Sequence, residues 1–168
     1  MTIISIRNYD LTLGMIQRIQ TVFLLAIVAL TTATFFMPFA IIQLDNMFYS
    51  FDASGLNTLT SPSELVYPTW ALMVLSAVIA LVAFFTIFLY KKRMLQIRLC
   101  VFNAFLLIGF YGLFAFFLWK IAGMAGDFHF NVRLALPFPL ICLILDYLTI
   151  RRIGADEILI RSLNRLRK

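Results

Sequence analysis

Apolar residues along this chain gather in four long blocks separated by short polar stretches, with no sustained helical or strand alternation. A helix rises about 1.5 Å per residue, and the hydrocarbon core of a bilayer is roughly 30 Å thick, so a block of about 20 apolar residues is long enough to cross it. The blocks predict four spans, over residues 19–42, 68–90, 99–119 and 134–150. The expected fold is therefore an all-α membrane protein. It comprises a bundle of four transmembrane helices, room for a small outer β-hairpin or sheet, and a cytoplasmic amphipathic C-terminal helix.

Punctuation refines each block. Pro38 is expected to kink or end the first span. Ala26, Ala29, Ala33 and Ala40 fall near one face of it, and Ser76, Ala80 and Ala83 form a matching stripe on the second span. Small residues let helices approach closely, so the two stripes are expected to face each other. Tyr67, Trp70 and Tyr90 mark the two rims of the second span. Pro137 and Pro139 sit where the fourth span begins, and Arg151 and Arg152 are expected to stop it.

The stretches between spans carry their own signals. Residues 43–66 hold Asp45, Asp52 and Glu64 with no Lys or Arg, and Asp52–Gly55 reads as a turn between extended pieces. A small hairpin and an irregular loop both fit that segment. Phe128, Phe130 and Val132 alternate with His129, Asn131 and Arg133, the period of a strand, which is expected to pair with that hairpin. Residues 91–98 form a basic loop. Beyond residue 150, Ala155, Leu159, Leu163 and Leu166 line one face of a helix, and Glu157, Arg161 and Arg165 another, so the tail reads as a basic amphipathic helix. Leu159, Arg161, Leu163, Arg165 and Leu166 are its candidate contact residues. Residues 1–18 read as a short cytoplasmic segment, and Met15 is a second candidate start.

Composition sharpens the class. The chain has 168 residues, 62% hydrophobic and 13% charged, against about a quarter charged in soluble proteins. Its net charge of +6 invites a nucleic-acid reading, but the positions of the charges give a simpler one. Of the 14 Lys and Arg, only Lys120 and Arg133 fall in the predicted outer loops. The positive-inside rule then places both termini in the cytoplasm of a bacterial inner membrane, in a multi-pass arrangement, with no nucleic-acid partner. Cys100 and Cys142 lie inside predicted spans without metal-ligand spacing and read as small packing residues.

Two short motifs add a resemblance. Met15, Ile16, Gln17, Arg18, Ile19, Gln20 and Thr21 lead into the first apolar block. Asp156 and Glu157 precede Ile160, Arg161, Ser162, Leu163, Asn164, Arg165, Leu166 and Arg167 at the other end. The pattern resembles a family of four-span inner-membrane proteins of Bacteroidota that carries a domain-of-unknown-function label. The resemblance implies a location and no reaction.

Candidate chemistry is sparse. Asp146 is the one acidic residue inside a predicted span, with Asn103 at similar depth. An intramembrane acid is a functional candidate by default. A structural tie is preferred over a proton or ion relay, because no second titratable group continues a path across the membrane. The expected polar cluster is Asp146 with Asn103, Arg18, Gln20 and Arg98, and replacing Asp146 by Asn is expected to weaken assembly. No nucleophile–base pair, paired carboxylates or metal cluster is in view, and lone His129 reads as a loop residue. Ser61, Ser63 and Glu64 read as a cap before the second span.

These features point to a non-catalytic membrane protein with no cofactor. Its expected partners are the lipid bilayer, anionic lipid at the cytoplasmic face, and a larger integral membrane complex of secretion, translocation or respiratory type. The alternative is a small oligomeric transporter or channel that uses Asp146.

Overall fold

The computed structural model describes residues 21–44, 47–59, 63–89, 92–123 and 128–166. Helix α1, Thr21–Ala33, is followed by strands β1 (Ala40–Leu44), β2 (Met47–Phe51), β3 (Gly55–Thr58) and β4 (Leu65–Pro68). Then come α2 (Trp70–Phe88), α3 (Arg93–Ala122), β5 (Phe128–Val132) and α4 (Phe138–Leu166).

This corrects the expected four-span, all-α bundle. The strands form one five-stranded antiparallel sheet in the order β4-β3-β2-β1-β5. Among the described residues, α2 and α3 are the two helices long and apolar enough to cross a membrane.

The expected first span is divided between two structures. Helix α1 closes with short-range bonds from Phe35 N–H to the Thr32 carbonyl and from Phe36 N–H to the Ala33 carbonyl, both 3.1 Å. Such bonds tighten a last helical turn. Pro38 lies just beyond, and a residue before proline avoids the helical region. The chain leaves the turn extended, and the β-branched Ile41 and Ile42 enter β1. The alanine stripe does not form either. The buried line of α1 and its closing turn is Leu24, Ile27, Thr31 and Thr34, while Ala29 is exposed and Ala40 belongs to a strand.

At the other helices the boundaries move for related reasons. Helix α3 starts at Arg93, so most of the expected basic loop is helical. Gln96, Cys100, Asn103, Leu107, Phe110 and Phe114 are buried at steps of four and three residues. That seam carries the helix past the charges, because Lys92 and Arg98 stay exposed while Gln96 packs inside. The residues before Phe138 form a turn instead of the first part of a span. Helix α4 then runs through Arg151, Arg152 and Gly154 to Leu166 without a break. Arg151 and Arg152 stay exposed while the next residue, Ile153, continues the buried side of the helix.

The expected hairpin is β2–β3, turning through residues 52–54. The expected strand at Phe128–Val132 forms, but its neighbour is β1, with Ile42 opposite Phe130 and Ala40 opposite Val132.

The sheet's inner face and the sheet-proximal half of α3 share an aromatic core. Phe39 meets Phe110 edge-on at 5.5 Å between ring centroids and Phe114 at 6.0 Å, while Phe51 stacks on Phe114 at 5.2 Å. Edge-on and offset contacts are the favoured aromatic geometries. Tyr67 of β4 packs on Phe117. Helices α2 and α3 pack along each other, as do α3 and α4. Thr69 joins β4 to α2, and β5 follows α3, so the sheet sits at the end where α2 begins and α3 finishes.

Candidate functional site

Helix α4 returns antiparallel to α3, and its own buried line is Pro139, Cys142, Asp146, Thr149 and Ile153, again at steps of three and four. The two seams meet. They bring Asn103 and Asp146 face to face, with Asn103 Nδ2 donating to Asp146 Oδ2 at 2.7 Å. Both residues are sealed from solvent, at 1% and 0% exposure. The other two oxygens, Asn103 Oδ1 and Asp146 Oδ1, are buried and have no partner among the described residues.

The rest of the expected polar cluster is placed differently. Arg98 is exposed on α3 and is not the group that meets Asp146. Arg18 and Gln20 lie outside the described residues. So do the side chains of the tail residues Leu159, Arg161, Leu163, Arg165 and Leu166, whose backbone continues α4. Ser61 is likewise outside. Glu64 does not cap a helix: its N–H donates to Thr58 Oγ1 at 2.8 Å across the β3–β4 connection. Helix α2 begins after Thr69, whose side chain accepts no capping bond and whose hydroxyl donates to the Asp52 carbonyl at 3.2 Å. His129 is exposed on β5.

Around the pair the interior is apolar or self-satisfied. Cys100 and Cys142 are free thiols, both buried. Cys142 directs its Sγ to the Ile27 carbonyl at 3.9 Å, which ties α4 to α1. Apart from Thr69, the buried threonines donate within their own helices or turns: Thr31 to the Ile27 carbonyl, Thr34 to that of Thr31, Thr86 to that of Val82 and Thr149 to that of Leu145, at 2.6–2.8 Å. Such hydroxyls are consumed locally. Tyr111 ties α3 to the turn before α4, its hydroxyl donating to the Leu136 carbonyl at 2.8 Å. Among the described residues no group of three or more His, Cys, Asp or Glu side chains gathers to hold a metal ion.

Two further polar features escaped the sequence reading. Gln96 is buried on the α3 seam, and the four-three spacing from Gln96 to Phe114 was the signal for it. Arg93 holds one buried nitrogen, Nη1, without a partner among the described residues. On the sheet, Asp52 accepts from Ser50 Oγ at 2.8 Å and from Asn57 Nδ2 at 3.2 Å, fixing the β2–β3 turn. An open cleft of about 570 Å³ lies on the sheet's outer face, lined by Ile41, Phe48, Leu59, Asn131, Val132 and Arg133.

Against known families, the model of one described as a domain of unknown function, DUF4293, matches residues 16–166. No curated protein matches the chain.

Proposed function

We propose that this chain, which belongs to the DUF4293 family, is a non-catalytic membrane protein that serves as an accessory or stabilising subunit of a larger membrane complex. The observation that carries this reading is the outward-facing apolar surface of α2 and α3. Only 28% of the apolar window of each helix is buried, whereas the core helix of a soluble protein is mostly covered. Met73, Val74, Phe84, Phe85 and Phe88 on α2, and Phe102, Phe105 and Ile108 on α3, are exposed. An apolar face that wide calls for lipid, a partner helix, or both.

In this reading α2 and α3 form a hairpin across the bilayer, and the sheet stands at one boundary. Exposed Trp70 and Trp119 lie at the sheet end of that hairpin, where indole rings favour the interface. Lys92, Arg93 and Arg98 lie at the other end, which the positive-inside rule places in the cytoplasm of a bacterial inner membrane. The helical tail after Ile150 then lies on the same side, against anionic lipid or a cytoplasmic partner.

A small oligomeric transporter or channel is the second reading, and the unpartnered Oδ1 of Asp146 favours it. The locally bonded threonine hydroxyls weigh against it, because they line no continuous polar route.

Purification of the intact protein from its native membrane in mild detergent, with quantitative mass spectrometry, separates the two. The accessory reading expects a larger integral membrane protein at fixed stoichiometry. A homogeneous oligomer of this chain alone, conducting ions when placed in liposomes, would overturn it.

A further inference from the structure

The Asn103–Asp146 contact has two oxygens left over. One bond joins the groups, from Asn103 Nδ2 to Asp146 Oδ2. Asn103 Oδ1 and Asp146 Oδ1 are both acceptors, both buried, and neither meets a donor among the described residues. An unsatisfied buried polar atom costs about 1–3 kcal/mol, and more if it is charged. A carboxylate in this position would combine both penalties.

The surroundings offer little to offset a charge. Thr21–Ala33 of α1 and Trp70–Phe88 of α2 contain no charged residue. On α3, Arg98 and Lys120 are exposed, and on α4 so are Arg151 and Arg152. Arg93, at the start of α3, holds one buried nitrogen, but ten residues of helix, about 15 Å, separate it from Asn103. The other titratable groups that share the interior are the thiols of Cys100 and Cys142, neither of which is a cation, and the Cys142 thiol is turned to Ile27. Tyr111 has committed its hydroxyl to Leu136. A buried, unpaired carboxylate is a strongly unfavourable state.

A single proton removes every one of these difficulties. Placed on Asp146 Oδ1, it turns one orphan acceptor into a donor. The other orphan, Asn103 Oδ1, is then its acceptor. The amide N–H bonds the acid's carbonyl oxygen, the acid's O–H bonds the amide's oxygen, and the ring that results is neutral and gives both orphan oxygens a partner. We propose that Asn103 and Asp146 form an acid–amide pair that binds one proton between α3 and α4. The inference deepens the proposed function, because it gives the tie between these helices its chemical state, and it rests on that reading only for the membrane setting.

Infrared spectroscopy of the full-length protein in lipid nanodiscs at neutral pH tests it. Exposed carboxyl groups are ionised under these conditions. The expected spectrum has the C=O stretch of a protonated carboxylic acid, shifted by isotope-labelled aspartate and lost in Asp146→Asn. Asn103→Leu should keep that band and move it to higher frequency, because the acid has lost its partner. If Asp146→Asn does not fold, the isotope label on the unaltered chain assigns the band to an aspartate, and its shift in Asn103→Leu places it at this pair. A spectrum with carboxylate bands only would overturn the proposal and point to a cation such as Arg18 beside Asp146. A band indifferent to Asn103→Leu would overturn the pairing. Neither result touches the accessory-subunit reading, which stands or falls on what co-purifies.

Discussion

The Asn103–Asp146 bond is one polar contact in an apolar interior, and single substitutions there separate its parts. Asn103→Leu removes the donor at 2.7 Å and leaves both carboxyl oxygens of Asp146 unpartnered. We expect a loss of about 1–3 kcal/mol of stability, measured by denaturant unfolding in detergent. Asp146→Asn is a milder change than the sequence suggested, because an amide can donate to Asn103 Oδ1 and accept from Nδ2 at once. Its unfolding midpoint should stay near that of the parent, and an equal loss in both variants would contradict this account. Asp146 was legible as a lone acid in an apolar block. Its partner was less so, because Asn103 and Arg98 both lay within reach along the sequence. Five residues turn a helix by about 140°, so the two cannot share a face, and the seam through Cys100 and Leu107 selects Asn103.

Glycines show how differently the elements constrain their residues. A Cβ on Gly55 would run into Leu65 Cδ1 of β4 and lie 2.8 Å from the Tyr67 carbonyl oxygen. Only a bare backbone lets β3 and β4 come this close, and the register between them already shifts at Leu56/Asn57. Gly55→Ala should push the strands apart and cost about 1–3 kcal/mol, as overpacking does. Gly109 and Gly112 of α3 have nothing within 4 Å of such a Cβ. Alanine there should be neutral or stabilising by about 0.5–1 kcal/mol. Thermal unfolding of the three variants side by side checks the contrast. Element types were the hardest part to read from the sequence. A continuous apolar run gives no period, so residues 19–42 looked like one helix although they hold a helix, a turn and a strand. Pro38 marked the break, and Ile41 with Ile42 the change of structure, but neither outweighed the length of the run. The alternation at Phe128–Val132 was a true strand signal: Phe130 packs on Phe114, while His129 and Asn131 are exposed.

At the scale of the molecule, the hairpin of α2 and α3 sets the sheet and the connection around Lys92 at opposite ends. Cysteines introduced at Ser54, exposed in the β2–β3 turn, and at Lys92, also exposed, should react with an impermeant thiol reagent from opposite sides of sealed vesicles. Cys100 and Cys142 are buried and should stay silent. Labelling of both sites from one side would mean that the hairpin does not cross. The two helices long and apolar enough to cross a membrane were legible as apolar blocks, because length and composition alone decide that property. The sheet was legible only in part: the turn at Asp52–Gly55 and the alternation at Phe128–Val132 pointed to it, but β1, which pairs with β5, was hidden in the first apolar run.

That distance has a consequence for how the protein is made. Strands β1 to β4 emerge from the ribosome before α2, whereas β5, which covers the open side of β1, follows α3. At about 5–20 residues per second, several seconds of synthesis separate them. During that interval the hydrogen-bonding edge of β1 has no strand of its own chain to complete it. In the proposed membrane arrangement the nascent sheet closes only after both apolar helices have crossed and β5 has come back to the same side. Closure of the sheet would then report that insertion has succeeded, and a chain stalled before Phe128 would be left with an open, adhesive strand edge.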